Sequence, residues 1–95
     1  MQIKEITVNG KTYQAFEGEI APGTKLVFIK GTKGFIMCGY LNLETAERMK
    51  NIAAIATGIK TIDDMLKTSI VKATTYAEAA GIKVGMPVIQ ALEYI

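Results

Sequence analysis

The 95-residue sequence has no histidine. That absence removes the usual proton carrier at neutral pH, the Ser-His and Cys-His nucleophile pairs, and every imidazole metal ligand. Its single cysteine, Cys38, closes no disulfide within the chain, which agrees with a reducing compartment, and one thiol without imidazole builds no zinc site. No metal site and no cofactor is expected. Long apolar runs are missing too: the longest, Phe35 to Leu41, falls far short of the roughly 20 residues a helix needs to cross a bilayer. Met1 to Val8 lacks the basic start and unbroken apolar stretch of a secretory signal. A cytoplasmic protein that does not enter membranes is the expectation. The eleven basic and nine acidic residues leave a net charge of +2 and are scattered, with no basic block to follow a phosphate backbone, so nucleic acid is not an expected partner.

What is present is apolar surface. A chain of this length supports one core, hence a single domain over residues 1–95, and such a domain hides only roughly two-thirds of the surface its unfolded chain exposes. With 49% hydrophobic residues and a mean hydropathy of +0.24, apolar side chains are left over outside, and leftover apolar patches on small proteins mark interfaces. A homo-oligomer is expected. Ten of the eleven basic residues are lysine and thirteen positions are isoleucine, a bias that fits a thermophile and an A/T-rich genome equally well.

The pattern along the chain predicts an α+β fold: a mainly antiparallel sheet from two N-terminal hairpins plus one or two later strands, with about four short helices. Ile3 to Val8 and Lys11 to Phe16 flank Asn9-Gly10, whose residues accept the positive φ of a type I′ turn. Glu17 to Thr24, with Gly18, Pro22 and Gly23, reads as a loop. Leu26 to Lys30 and Gly34 to Leu41 read as a second hairpin around Gly31-Thr32-Lys33. These two strands do not alternate, so both faces need cover, one from helices and the other from a partner subunit. Asn42 caps a helix with the stripe Leu43, Ala46, Met49 and Ala53, while Glu44 and Arg48 form an exposed pair. Ala53 to Thr57 reads either as its continuation or as a short strand. Thr61 and Asp64 start a helix with Ile62, Met65 and Leu66 inward and Asp63 paired with Lys67. Ile70 to Thr74 reads as a strand, Thr75 and Glu78 as a capping box, and Gly81 as the left-handed helix end. Pro87 opens a last helix with Val88, Leu92 and Ile95 buried.

The chemically suggestive residues are few. Cys38 lies on an apolar strand leading into a helix whose free N–H groups would lower a nearby thiol pKa, although packing explains a free cysteine more simply. Gly39 beside it permits a bulge or a close backbone approach. Thr57-Gly58-Ile59-Lys60-Thr61 sets a glycine, a lysine and a hydroxyl ahead of a helix start, a combination suited to a carboxylate or phosphate, but Ile59 breaks the contiguous Gly-Lys-Thr of a P-loop. Lys30 to Gly34 is a weaker anion candidate. Ala80 to Gly85 has the look of a helix-hairpin-helix turn with two residues too many between its glycines. Adjacent Asp63 and Asp64 point apart around a helix and clamp no cation.

Gly34-Phe35-Ile36-Met37-Cys38-Gly39-Tyr40-Leu41-Asn42, then Ala56 to Ile62, then Gly81 to Met86 resemble the YunC-like family, small bacterial and archaeal proteins built on a domain of unknown function. The resemblance spans nearly the whole chain and implies a shared fold, with a strand at Ala53 to Thr57, and no activity. Relatives carry Asp where this chain has Asn42, which keeps the cap and drops a charge. The leading expectation is a homo-oligomeric module binding a small anionic metabolite through backbone amides near Cys38 to Asn42 and Gly58 to Thr61, with Gly39, Asn42, Gly58, Lys60 and Thr61 as contacts. One alternative is an enzyme using Cys38 as nucleophile or redox thiol, helped by the charge of Lys60. Another is a structural subunit docking on a different protein.

Overall fold

A computed structural model describes residues 2–95, with side chains from Ile3 onward; the reading of Met1 lies outside them. Six strands form one sheet in the order of the chain: β1 (Gln2–Val8), β2 (Lys11–Ala21), β3 (Thr24–Lys30), β4 (Gly34–Met37), β5 (Ile52–Ile55) and β6 (Lys72–Ala73). Neighbours are antiparallel except β4 and β5, which run parallel. That pair needs a crossover, supplied by helix α1 (Leu43–Arg48). Helices α2 (Ile62–Lys67), α3 (Thr75–Ala80) and α4 (Val88–Ala91) follow, and a 3₁₀ turn covers Leu92–Tyr94. The mixed α+β class and the mostly antiparallel sheet are as the sequence predicts.

The first hairpin turns at Asn9 and Gly10, both at positive φ (53° and 79°), as a type I′ turn requires. The second half of β2 departs from expectation. Glu17 to Ala21 is strand, not loop: Glu17 pairs with Val27 and Gly18 with Leu26, a register shift follows at Glu19 to Ala21, and only Pro22-Gly23 turns, with Gly23 at φ 76°. Proline and glycine there close a tight hairpin instead of interrupting a strand. β4 is shorter than predicted, ending at Met37, and β6 spans two residues of the predicted Ile70 to Thr74.

Alternation then sorts the side chains. Tyr13, Ala15, Val27, Ile29, Ile36 and Ala54 point to one face, where Met65 of α2, Ala77 of α3, Val88 of α4, and Leu92 and Ile95 seal them into the core. Val88, Leu92 and Ile95 are buried as expected, whereas Met49 is 68% exposed because α1 stops one residue earlier. Tyr13 reaches across the core to donate from its hydroxyl to the Leu92 carbonyl (2.7 Å), and burial raises its pKa above the usual phenol value. On the opposite face α1 packs over β5, and its Ala46 is buried along with Ala53 and Ile55. Among the described residues no helix packs on β1 to β4 there as α1 does on β5.

The cap of α3 falls one residue earlier than the capping-box pattern suggests. Thr74, not Thr75, accepts from the Ala77 N–H (3.1 Å), and Thr75 instead gives its hydroxyl and backbone N–H to the Glu47 carboxylate. Those two donors hold the Glu47 pKa below the ordinary carboxylate range. α3 closes as expected, with Gly81 at φ 121° and the Ile82 N–H on the Ala77 carbonyl (3.0 Å). The anticipated Glu44–Arg48 and Asp63–Lys67 pairs do not close; among the described residues the ion pairs are Lys11–Glu93 (3.2 Å) and Lys4–Glu17 (4.0 Å).

Candidate functional site

Because β4 and β5 are parallel, the turns that follow them, residues 38–42 and 56–61, emerge at the same edge of the sheet. Open sheets bind ligands outside the carboxyl ends of parallel strands, where such turns leave a crevice. Here they border an open cavity of about 340 Å³ lined by Cys38, Gly39 and Tyr40 from the first turn, Thr57 to Lys60 from the second, and Lys25 from the start of β3. Four of the six residues singled out from sequence, Cys38, Gly39, Gly58 and Lys60, therefore meet in one place. Lys25 was missed because its strand position carries no local motif; only the register that sets β3 beside β4 brings it here.

Cys38 is 4% exposed. Its N–H donates to the Val27 carbonyl (3.0 Å) and its own carbonyl accepts from the Leu41 N–H (3.2 Å), which fixes the turn. Gly58, at φ 73°, bends the second turn in a conformation that side chains rarely adopt. Gly39 has no such need, since an added Cβ would sit 3.5 Å from the Thr57 methyl, an ordinary contact. The close approach anticipated at Gly39 is absent.

Asn42 and Thr61 lie outside this cavity. The Asn42 carboxamide oxygen accepts from the Thr45 N–H (3.2 Å) and the Thr61 hydroxyl from the Asp64 N–H (3.0 Å), so each is spent on its own helix cap. Asn42 borders the adjoining depression, with Leu41, Glu44 and Lys72, across Gly39 and Thr57 from the cavity. The start of α2 is also occupied by the protein's own carboxylates: Asp64 accepts from the Lys60 N–H (3.1 Å) and Glu17 from the Ile62 N–H (3.3 Å). What stays open is the turn itself, because among the described residues no protein oxygen accepts from the N–H of Tyr40, Gly58 or Ile59. No carboxylate lines the cavity, which carries Lys25 and Lys60. No three His, Cys, Asp or Glu side chains gather to hold a metal among the described residues.

The other two glycine-rich stretches serve the fold. At Lys30 to Gly34 the Lys33 and Gly34 N–H groups both donate to the Ile95 carbonyl, and a Cβ on Gly31 would strike that same carbonyl. At Ala80 to Gly85, Gly81 ends α3 and the Gly85 N–H donates to the Ile70 carbonyl (2.7 Å).

Comparison with known proteins matches residues 37–95, from the end of β4 through both turns to Ile95, to a domain of unknown function (DUF1805). The chain belongs to the DUF1805 family. It is 32% identical to the uncharacterized protein YunC of Bacillus subtilis over 90 residues, covering 90% of this chain and 88% of that one. It also superimposes on the crystal structure of a protein of unknown function, TA1206 from Thermoplasma acidophilum, with a TM-score of 0.92 and 41% identity, covering 97% of this chain and 89% of that one. Cys38, Gly39, Gly58 and Lys60 fall inside the stretch matched to DUF1805 and Lys25 falls before it. No helix among the described residues is long and apolar enough to cross a membrane.

Proposed function

We propose that this DUF1805 protein binds a small anionic metabolite in the cavity between the turns after β4 and β5. The observation that carries the reading is the lining. Two lysines from different elements, Lys25 and Lys60, border a cavity without carboxylates, beside turn amides that no protein oxygen occupies. Lysine charge gives affinity for a carboxylate or phosphate, and free amides in a glycine turn add direction. Tyr40, 61% exposed, offers a planar apolar surface for the body of the ligand. A volume of about 340 Å³ suits a molecule of metabolite size, since ligand sites start at about 300 Å³.

Titration of inorganic phosphate and of a panel of small carboxylates and phosphate esters, followed by amide chemical shifts, tests this. Shifts are expected at Gly39, Tyr40, Gly58 and Lys60, with loss of at least about tenfold in affinity in Lys25→Ala/Lys60→Ala. Unchanged affinity in the double variant, or shifts confined to another surface, would sink the proposal. The position of Cys38 in the same lining favours a second reading, thiol chemistry on the bound molecule. No proton acceptor borders the cavity beside it, which places it second. Alkylation of Cys38 in the folded protein at a rate near that of the unfolded chain would raise it.

A further inference from the structure

We infer that the helix-free face of β1 to β4 is an interface between two copies of this chain, packed face to face about a two-fold axis running along β2. The register fixes what that face displays. One row of directly paired residues runs Ile3, Phe16, Phe28, Met37 from β1 to β4, and the next runs Glu5, Gln14, Lys30, Phe35. Phe16 and Phe28 stack with ring centroids 5.3 Å apart, while Ile3 is 75% exposed and Phe28, Phe35 and Met37 are only half-buried. β1 to β3, about 4.8 Å apart and each contributing roughly six residues of about 3.3 Å, give a patch of roughly 14 by 20 Å, which the four residues of β4 extend at one side.

Charge selects a second copy as the occupant. The charged side chains in the two rows are Glu5 and Lys30, one strand to either side of Gln14, and both border one depression over Gln14. Neither has an ionic partner among the described residues. A two-fold axis along β2 exchanges the two sides. It sets Glu5 against Lys30 of the partner subunit and Ile3 against Phe28 of the partner subunit, while Gln14 and Phe16 meet their own counterparts. Opposite charges at mirrored positions across an apolar row make the face complementary to itself, the condition for an isologous contact. The sheets stack in the aligned manner of a sandwich.

Sedimentation velocity across a concentration series tests the inference, with far-UV circular dichroism as the folding control. Wild type is expected to sediment as a dimer of the 10.3 kDa chain. Glu5→Lys and Lys30→Glu should each weaken dimerisation about tenfold, and the double reversal should restore it. Ile3→Glu, on a side chain already exposed, should give folded monomers, as should Phe28→Glu. A wild type that is monomeric throughout, or of another stoichiometry, overturns the inference. So does a double reversal that restores nothing, or a dimer that survives Ile3→Glu. If Ile3→Glu is monomeric while a folded Phe28→Glu stays dimeric, the copies pair through the β1 edge and the face is not the interface. Should Phe28→Glu fail to fold, Ile3→Glu and the charge reversals decide alone.

Discussion

Thr74 is fully buried, and three backbone groups depend on its hydroxyl. It accepts from Ala77 and Ala53 N–H (3.1 and 3.3 Å) and donates to the Asn51 carbonyl (2.7 Å). Removing the oxygen while keeping the shape leaves those groups without partners, and each orphan costs about 1–3 kcal/mol. Thr74→Val is therefore expected to lose about 3 kcal/mol in urea denaturation, and Thr74→Ser about 1 kcal/mol, because serine keeps the oxygen and gives up one methyl. An equal loss in both variants would mean that packing, not the hydrogen bonds, holds the residue. The sequence pattern pointed one residue further on, since Thr75 and Glu78 have the capping-box spacing. That pattern is local, and the competing partner is not. Glu47, 28 residues away, takes Thr75, while the edge of β5 takes Thr74.

At the scale of elements, the legible pieces were those whose ends carry their own chemistry. Asn9-Gly10 marked the first turn, Asn42 and Thr61 marked the starts of α1 and α2, and Gly81 marked the end of α3. The end of α1 was illegible because a lysine occupies the place where glycine is the usual signal. Lys50 sits at φ 61°, with its N–H on the Glu47 carbonyl (3.1 Å) and the Asn51 N–H on the Ala46 carbonyl (3.0 Å), the bonding of a glycine-ended helix. A side chain in that conformation carries a penalty of roughly 1–2 kcal/mol, partly returned because glycine loses more entropy on folding. Lys50→Gly should raise stability by about 1 kcal/mol in thermal or urea unfolding. A decrease would show that the side chain makes contacts worth more than the strain. Half of the candidate site was legible for the same reason. Cys38, Gly39, Gly58 and Lys60 belong to turns that read as turns. Lys25 reaches the cavity only through strand pairing, and Asn42 and Thr61 were correctly read as caps, a role that uses up the atoms a ligand would need.

At the scale of the whole molecule, the sheet grows in chain order and residues 92–95 fold back onto its first hairpin. Leu92 and Ile95 are 1% and 4% exposed; Tyr13 bonds the Leu92 carbonyl, Lys11 pairs with Glu93, and the Ile95 carbonyl holds the β3–β4 turn. Losing two such side chains costs about 2–5 kcal/mol each and the Tyr13 hydrogen bond about 1 kcal/mol more, against a total of about 5–14 kcal/mol for a domain of this size. A chain truncated after Ala91 is therefore expected to be largely unfolded at 25 °C, seen as collapse of amide dispersion in NMR. A dispersed spectrum would place the cohesion of the fold elsewhere.

The same closure bears on how the protein is made. Strand order that follows the chain lets each hairpin form as it leaves the ribosome, by contacts local in sequence. Yet the hydroxyl of Tyr13 finds its acceptor 79 residues later. Helix α2, with Met65, covers part of the inner side of the first hairpin earlier, but the hydroxyl end of Tyr13 gains its cover only when residues 92–95 arrive. Slow translation of the stretch that leads up to residues 92–95 would prolong that interval, and with it the time in which the unfinished sheet is open to chaperones and to its own neighbours on the polysome.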